Sequence, residues 1–312
     1  MAIVLVESSR VGRRMVSDML AERGHRVVAF PCADEAFAYI MGDPQISIVI
    51  TSIETSSRSG LELCWDLRSL ASNGRIFYTI VMSSTFDERR LTEALDCGAD
   101  DFVRKPPSKN ELFARIRSAE RHVASQRTLV KLAQTDPLTG LLNRRSFLER
   151  AKNRIDQNPD APRTMFALDI DHFKAINDTY GHDVGDQAIC AVAGVLSART
   201  NCLAGRMGGE EFSLFSLEND RQKSAMIGES VRLAVERQRI PVDGNIFSMT
   251  CSVGVHCARP EEDFSDMLKE ADRALYEAKE SGRNRVILTG PTGHVMASGE
   301  PDPDDTDRKS AA

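Results

Sequence analysis

The chain has 312 residues, a formal net charge of −6 and 41% hydrophobic residues, which is an ordinary globular composition. At about 150 residues per domain, this length predicts two domains, each large enough for its own core. The negative charge argues against general binding of nucleic acid or anionic membranes. The short apolar N-terminus predicts a buried strand and not a signal peptide, and no apolar run is long enough to span a membrane, so we expect a cytoplasmic protein.

The first third of the chain alternates short apolar runs with helical patterns. We predict strands at residues 3–6, 26–30, 46–51, 76–82 and 101–103, and helices at 12–23, 33–41, 60–70 and 89–97. Continuous apolar strands separated by helices are typical of a parallel sheet that is covered on both faces. Residues 1–122 are therefore predicted to form a doubly wound, five-stranded α/β domain.

A long helix is predicted next, because residues 110–134 contain neither glycine nor proline. Its seam repeats at alternating intervals of four and three residues, at Leu112, Ile116, Ala119, Val123, Gln126, Val130 and Ala133. The seam could pack on its own domain or pair two subunits as a stalk. The run continues past the expected end of the first domain, which favours a helical linker over residues 110–135.

The second domain begins near residue 136 and mixes strands with helices. Strands are predicted at 163–169, 211–217, 247–256 and 285–288, and helices at 185–199, 221–239 and 264–281. We expect an α/β domain with a mixed central sheet over residues 136–290. Residues 291–312 have few bulky apolar side chains and many Asp, Pro, Gly and Ser, which predicts a disordered tail.

The densest polar motif follows the apolar strand that ends at Asp169, and it reads DIDHFKAIND and then GHDVGD. A carboxylate at a strand end suits a cation better than it suits a core. Mg²⁺ prefers hard oxygen ligands, usually one or two carboxylates together with substrate phosphates. We expect only one of Asp169 and Asp171 to bind it.

A second motif, GGEEF at residues 208–212, predicts a tight hairpin. Glycine permits positive φ and lets a ligand approach the backbone closely. Two adjacent glutamates at such a turn repel each other unless a cation or hydrogen-bond donors lie nearby. By itself the motif could be a solvated hairpin, but downstream of the Asp169 strand it indicates a cation site.

Two further motifs flank this centre. Lys279 and Arg283 lie four residues apart near a helix that Gly282 is expected to end, so they could bind a triphosphate or compensate the helix dipole. The run DPLTGLLNRRSF at residues 136–147 is interpreted as a fastener between the long helix and the second domain.

Together these four motifs resemble the GGDEF family of diguanylate cyclases over residues 136–288. The resemblance implies a homodimeric enzyme that condenses two GTP into cyclic di-GMP and two pyrophosphates, with Mg²⁺, or alternatively Mn²⁺, as cofactor. The alternative is a catalytically silent signalling protein that binds GTP or a partner.

The resemblance also implies roles for individual residues. The metal ligands would be Asp169, Ile170 through its carbonyl, Glu210 and Glu211. The nucleotide would be contacted by Phe173, Lys174, Asn177, Asp186, Gly208, Gly209, Lys279 and Arg283. Glu210 would accept the proton of the attacking hydroxyl, and Lys174 would stabilise charge in the transition state.

Many members of the family bind product at an RxxD site, where the corresponding residues here are Arg199 and Cys202. A thiol cannot accept the guanine donors or orient the arginine as a carboxylate does. We therefore expect weak or absent product inhibition.

The N-terminal domain resembles response-regulator receiver domains, with Lys105-Pro106 at the expected place, and we expect that peptide bond to be cis. The positions of the phosphorylation site hold Glu7, Ser8, Ser52, Ser83 and Lys105. Ser52 replaces the acceptor aspartate, so aspartyl phosphorylation is not expected unless Glu54 takes its place. The domain would then serve dimerisation or dock a protein partner.

Overall fold

The computed structural model describes residues 1–56, 58–72, 74–85, 88–218, 220–242, 245–290 and 295–298. The chain divides into two compact units, Met1–Lys131 and Leu132–Ala312. Among the helices within these ranges, none has both the length and the apolar character needed to cross a bilayer.

The first unit is a parallel sheet covered by helices. Its strands are β1 (Ala2–Val6), β2 (Arg26–Phe30), β3 (Ile48–Ser52), β4 (Tyr78–Ser83) and β5 (Asp101–Arg104). They are all parallel in the order β2-β1-β3-β4-β5, which confirms the predicted doubly wound sheet. The helices between them are α1 (Arg10–Ala21), α2 (Ala33–Gly42), α3 (Gly60–Ser72) and α4 (Glu88–Asp96). Every residue of β3 and β4 is buried, as expected for central strands.

The long helix α5 (Lys109–Gln134) has two halves with different environments. In the first half, Leu112, Ile116, Ala119 and Val123 are buried in the core of the first unit. This half of the predicted seam cannot pair with another subunit, because its apolar side chains already pack on their own domain. The stalk interpretation is therefore wrong for this half. Beyond it, Leu129 is 56% and Leu132 is 65% exposed.

The second unit is built on a mixed sheet. Its strands are β6 (Leu142–Asn143), β7 (Arg163–Ile170), β8 (Leu203–Gly208), β9 (Glu211–Ser216), β10 (Ile240–Val242), β11 (Asn245–Phe247), β12 (Cys251–Ala258), β13 (Val286–Thr289) and β14 (Val295–Ser298). Seven of them form a sheet in the order β14-β13-β12-β7-β9-β8-β6, which confirms the predicted mixed sheet, and β10 with β11 forms a separate hairpin.

Five helices cover the two faces of this sheet: α6 (Arg144–Gln157), α7 (Phe173–Tyr180), α8 (His182–Ser197), α9 (Arg221–Glu236) and α10 (Phe264–Glu280). One core lies between the sheet and α7, α8 and α9, and the other lies between the sheet and α6 and α10. The central strand β7 is buried along its whole length and pairs antiparallel with both β9 and β12. The carboxyl end of β7 is thereby fixed from both sides.

The predicted disordered tail, residues 291–312, lies outside the described residues except for β14. Residues 295–298 pair antiparallel with β13, which corrects the prediction for this short segment. Without β14, the outer edge of β13 would present unpaired backbone groups, and a strand added there satisfies them.

Candidate active site

Asp169 lies at the carboxyl end of β7, where two neighbouring strands fix its position. It is opposite Glu211 of β9 on one side and Ser252 of β12 on the other. Its side chain is only 9% exposed, and Lys279 Nζ from α10 lies 2.8 Å from Asp169 Oδ2. The structure thus brings together a predicted metal ligand and a predicted phosphate ligand.

The carboxylate of Asp169 is in an unfavourable electrostatic environment. Burial raises its pKa to about 6, Lys279 opposes this shift, and the charges of Glu210 and Glu211 add to it. Burial is the largest of these influences on the pKa, and Lys279 offsets only part of it.

The GGEEF motif forms the tight hairpin that its sequence predicts. Gly208 is opposite Glu211, and Gly209 and Glu210 make the turn, with φ of 25° at Gly209. A register shift between Arg206 and Gly208 interrupts the ladder just before the turn. Glu210 is therefore carried at the tip of the β8–β9 hairpin, beyond the end of the ladder.

Arg206 joins this hairpin to the start of the second domain. Its Nε donates to Gly209 O at 2.9 Å, and its Nη1 lies 3.0 and 3.2 Å from the two carboxylate oxygens of Asp136. Desolvation acts to raise the pKa of Asp136, but the hydrogen bonds from Thr139 and Arg206 together hold it below its ordinary value. Sequence reasoning identified both motifs but not the contact between Asp136 and Arg206, which lie 70 residues apart.

Asp171 has a different environment from Asp169. It is buried and accepts hydrogen bonds from the hydroxyls of Thr250 and Ser252, at 2.7 and 2.6 Å, and from the amide of Asn284 at 3.0 Å. These bonds tie the end of β7 to β12 and to the loop before β13. Of the two aspartates, Asp169 is the one that faces Lys279 and the hairpin glutamates.

The turn from β7 into α7 places backbone amides beside Asp169. His172 adopts a left-handed conformation, with φ of 54°, and α7 begins at Phe173. The amides of Phe173 and Lys174 lie in the first helical turn, where backbone amides have no acceptor within the helix. A helix start of this kind is suited to phosphate groups.

Asn177 of α7 carries a buried oxygen, Oδ1, that has no hydrogen-bond partner among the described residues. Gly185 of α8 leaves it room, because a Cβ at that position would lie 2.0 Å from this oxygen. Asp186, the fifth residue of α8, is exposed. An unpartnered amide oxygen and a nearby exposed carboxylate can both accept hydrogen bonds from a ligand that offers donors.

Arg283 follows the end of α10 as predicted. The helix ends at Glu280, and Gly282 has φ of 107°. The guanidinium of Arg283 makes no hydrogen bond or ion pair with any residue that the structure describes.

A cleft of roughly 370 Å³ lies between α6, α10 and strands β7, β8 and β9. Glu211 and Lys279 line it, together with Arg144, Asp272 and Tyr276, which sequence reasoning did not select. Burial, with an added contribution from Glu211, raises the pKa of Asp272. Within the described ranges, no three His, Cys, Asp or Glu side chains are grouped to hold a metal ion, so Glu211 does not complete such a group with Asp169 and Glu210.

The degenerate receiver site is closed by its own lysine. Lys105 Nζ lies 2.7 Å from Glu7 Oε2 and hydrogen-bonds to Ser52 Oγ, and the peptide bond to Pro106 is cis, as predicted. Ser52 and Ser83 are buried, and Ser8 is exposed.

Glu54 does not take the place of the missing acceptor aspartate. It pairs with Arg90 at 2.8 Å and is half exposed, outside the contact that Lys105 makes with Glu7 and Ser52.

At the positions that correspond to the family's inhibitory site, Arg199 Nη2 donates to Ser230 O at 3.2 Å. Burial raises the pKa of the Cys202 thiol, against the opposing influence of Arg199 and Arg154. Weak product inhibition stays a prediction.

Comparisons with known proteins give a consistent result for both units. Residues 133–285 match the family model described as diguanylate cyclase, GGDEF domain, and residues 3–117 match the response regulator receiver domain. The response regulator PleD of Caulobacter vibrioides is 31% identical over 300 residues, which cover 91% of this chain and 65% of PleD. This chain therefore spans less than two thirds of that relative.

Two further relatives match the second unit. The probable diguanylate cyclase DgcC of Escherichia coli is 36% identical over 181 residues, which cover 56% of this chain and 48% of DgcC. The crystal structure of the GGDEF domain of DgcB from Caulobacter crescentus, in complex with c-di-GMP, is 36% identical; the match covers 50% of this chain and 93% of that chain, with a TM-score of 0.46.

Proposed function

We propose that this chain, which carries a receiver domain followed by a GGDEF domain, is a diguanylate cyclase that condenses two GTP into cyclic di-GMP and two pyrophosphates. The observation that carries the proposal is the convergence of Asp169, the β8–β9 hairpin glutamates and Lys279 at one end of β7. Acids and a cation gathered at a strand end beside a helix start are suited to a metal-bound nucleotide triphosphate.

The donor set fits a divalent cation. Asp169, the Ile170 carbonyl and Glu210 would hold Mg²⁺ or Mn²⁺, because these ions prefer hard oxygen ligands and the charges of Glu210 and Glu211 add to that of Asp169. When bound, such an ion supplies Lewis-acid polarisation of the phosphates and lowers the pKa of a coordinated hydroxyl. Glu211, which lines the cleft beside α10, is proposed as an additional acidic group near this site.

The other residues bind and orient the nucleotide. The amides of Phe173 and Lys174 would bind phosphate oxygens at the start of α7, and Lys279 and Arg283 would bind the β- and γ-phosphates. The Asn177 amide would take a hydrogen bond from guanine, with Asp186 accepting from its N1–H and 2-amino group. Adenine lacks those donors and would leave the polar groups unpaired, which explains selection of GTP.

The reaction proceeds by attack of the 3′-hydroxyl of one GTP on the α-phosphorus of the other, and pyrophosphate leaves. Glu210 accepts the hydroxyl proton, and Lys174 stabilises the charge that develops on the phosphoryl oxygens. Two phosphodiester bonds form between two nucleotides, so two sites must face each other. A homodimer with two-fold symmetry meets that requirement.

Substitution of Glu210 tests the proposal. With Mg²⁺ and GTP, the wild-type protein should form cyclic di-GMP, and Glu210→Gln should lose at least about 100-fold in rate because the proton acceptor is gone. Product is measured by chromatography, and Glu149→Gln, an exposed glutamate on α6, is the matched control. Normal turnover by Glu210→Gln would reject the assigned site. GTP binding by the wild-type protein without any product would instead support the silent signalling protein.

A further inference from the structure

The segment that carries Arg283 has an uncommon backbone. Gly282, Arg283 and Asn284 follow one another with φ of 107°, 58° and 44°. Positive φ is rare for residues other than glycine, and asparagine is among the side chains that tolerate it best. Arginine has no such preference, so neighbouring groups must hold this conformation in place.

Three hydrogen bonds hold the backbone on both sides of the Arg283 side chain. The Arg283 amide donates to Ala278 O at 3.0 Å, and its carbonyl accepts from Arg285 Nε at 2.8 Å. The next amide, that of Asn284, donates to Asp171 Oδ2 at 3.0 Å. The path of the main chain is thus tied to α10 and to the end of β7.

The side chain of Asn284 adds a fourth connection, to α9. Its Oδ1 accepts from Arg232 Nη1 at 2.7 Å, and its Nδ2 donates to Glu236 Oε1 at 2.9 Å. Arg232 is itself fixed, because its side chain is 8% exposed and it also pairs with Glu229 at 2.6 Å. A guanidinium can only donate and a carboxylate can only accept, so this pair determines the orientation of the Asn284 amide.

We propose that Asn284 is a positioning residue that aims Arg283 at the terminal phosphates of GTP. The inference rests on the proposed function, since it assigns Arg283 to those phosphates. In this role Asn284 does not contact the nucleotide. Its backbone amide bonds to Asp171 and its side chain bonds to Arg232 and Glu236, and these bonds fix the left-handed turn. They thereby fix the backbone from which the Arg283 side chain extends, and its guanidinium, which has no partner among the described residues, is left available for a phosphate.

Substitutions at this position separate the side chain from the backbone. Asn284→Gly keeps a residue that accepts positive φ and removes both side-chain hydrogen bonds. Asn284→Asp keeps the acceptor for Arg232 but places a carboxylate against Glu236, where Asn284 Nδ2 donates. Both variants keep the backbone amide that donates to Asp171.

The experiment compares the binding of 3′-deoxy-GTP, which lacks the attacking hydroxyl, with that of GMP, which lacks the terminal phosphates. Calorimetry on the full chain should show that Asn284→Gly lowers the affinity for 3′-deoxy-GTP about tenfold and the affinity for GMP less than twofold. In an Arg283→Ala background, the same substitution should no longer weaken 3′-deoxy-GTP, because its effect acts through Arg283. Asn158→Gly, at the end of α6, is the matched control and should leave both affinities unchanged.

The proposal would be overturned if Asn284→Gly lowered the affinity for both ligands equally. It would also be overturned if the loss of affinity for 3′-deoxy-GTP were as large in the Arg283→Ala background. If Asn284→Gly does not fold, as judged by its thermal transition, Asn284→Asp is measured by the same criteria. Failure of the proposed function has a different result, since the wild-type protein would then form no cyclic di-GMP, whether or not it binds 3′-deoxy-GTP. A wild-type protein that forms cyclic di-GMP beside an Asn284→Gly variant with unchanged affinities would refute the positioning role alone.

Discussion

The two aspartates of the DID sequence show how much the environment of a residue determines its role. Asp171 accepts three hydrogen bonds, whereas Asp169 is opposite another acid, Glu211, and close to a third, Glu210. The sequence predicts a carboxylate at the end of a strand, and that prediction depends only on the apolar run before it. Which aspartate is structural depends on Thr250, Ser252 and Asn284, about 80 to 113 residues away, and nothing local reveals them.

The raised pKa of Asp169 predicts that the metal-free protein loses unfolding free energy as the pH rises. Its pKa is about 6 in the folded state and 3.8 for an ordinary aspartate, so the folded protein binds the proton more tightly than the unfolded chain. Stability from this group is fully present below pH of about 4 and is lost as the pH rises through about 6. Asp169→Asn cannot ionise, and at pH 7.5 in EDTA we expect it to be more stable than wild type by on the order of 1–2 kcal/mol after solvent screening.

Urea unfolding at a series of pH values measures this difference. The gap between Asp169→Asn and wild type should widen from pH 4 to pH 6 and then stay constant, while Asp160→Asn, at an exposed loop position, should follow wild type throughout. A variant that is less stable than wild type at pH 7.5 would show that the ion pair with Lys279 outweighs the burial of the charge.

At the scale of elements, the sequence predicts strands and helices whose apolar residues repeat regularly over many positions, and turns that contain glycine. The buried strand β7 and the β8–β9 turn follow from such signals, and so does the amphipathic helix α10. The helix α7 was missed, because eight residues give too short a period and its sequence is rich in polar residues. The strand β8, LAGRMG, was missed because it has few β-branched or aromatic residues, and its pairing with β9 decides its conformation.

The predicted strand over residues 247–256 shows a boundary that the sequence does not mark. Residues 245–247 belong to the separate hairpin of β10 with β11, and β12 begins only at Cys251. The apolar side chains of Phe247 and Met249 continue the pattern of the strand, but they pack from the hairpin and its connection to β12. Tertiary packing therefore accounts for apolar residues that sequence reasoning assigned to one strand.

The β8–β9 hairpin depends on a contact that lies outside it. Arg206 and Asp136 are 16% and 18% exposed, and the arginine also bonds to Gly209 at the turn. Asp136→Asn should weaken this fastening and cost about 1–3 kcal/mol in unfolding free energy, because a partly buried guanidinium loses a charged acceptor. We also expect a fall in kcat with little change in KM for GTP, since the hairpin carries Glu210.

Urea unfolding and steady-state kinetics on the full chain test both expectations. Asp156→Asn, an exposed aspartate on α6, is the matched control and should leave stability and kcat unchanged. Wild-type kcat in Asp136→Asn would show that the hairpin keeps its shape without the Asp136 contact, and the fastener would then be structural only.

At the scale of the whole molecule, the helix α5 is divided between two environments. The first half of its predicted seam is buried in the receiver domain, and beyond it the helix exposes Leu129 and Leu132, which lie one turn apart and outside the seam. Exposed leucines on a helix without partners among the described residues favour association with a second copy. At the positions that match the receiver phosphorylation site, Lys105 pairs with Glu7 and hydrogen-bonds to Ser52.

The last prediction is that concentration of the protein, and not a phosphoryl donor, controls its activity. Two GTP-loaded domains must meet for cyclisation, so specific activity should rise with protein concentration and then level off. Acetyl phosphate and beryllofluoride should change neither the maximal specific activity nor the midpoint, the protein concentration at which half of it is reached. The reason is that the acceptor position is the hydroxyl of Ser52, which is buried. The combined variant Leu129→Glu/Leu132→Glu should move the midpoint to about tenfold higher concentration, since four new charges would face each other in a dimer.

Activity and sedimentation velocity are measured over the same concentration range, with Met226→Glu as the matched control at an exposed apolar position on α9. A control that shifted the midpoint as far as the leucine variant would point to a general effect of added charge. Activity that is independent of concentration would place the control elsewhere, and activation by beryllofluoride would show that the receiver domain binds a phosphoryl mimic despite Ser52. Because the activity assay and the sedimentation assay report catalysis and association separately, a leucine variant that dissociates yet keeps full activity would disprove the need for two facing sites.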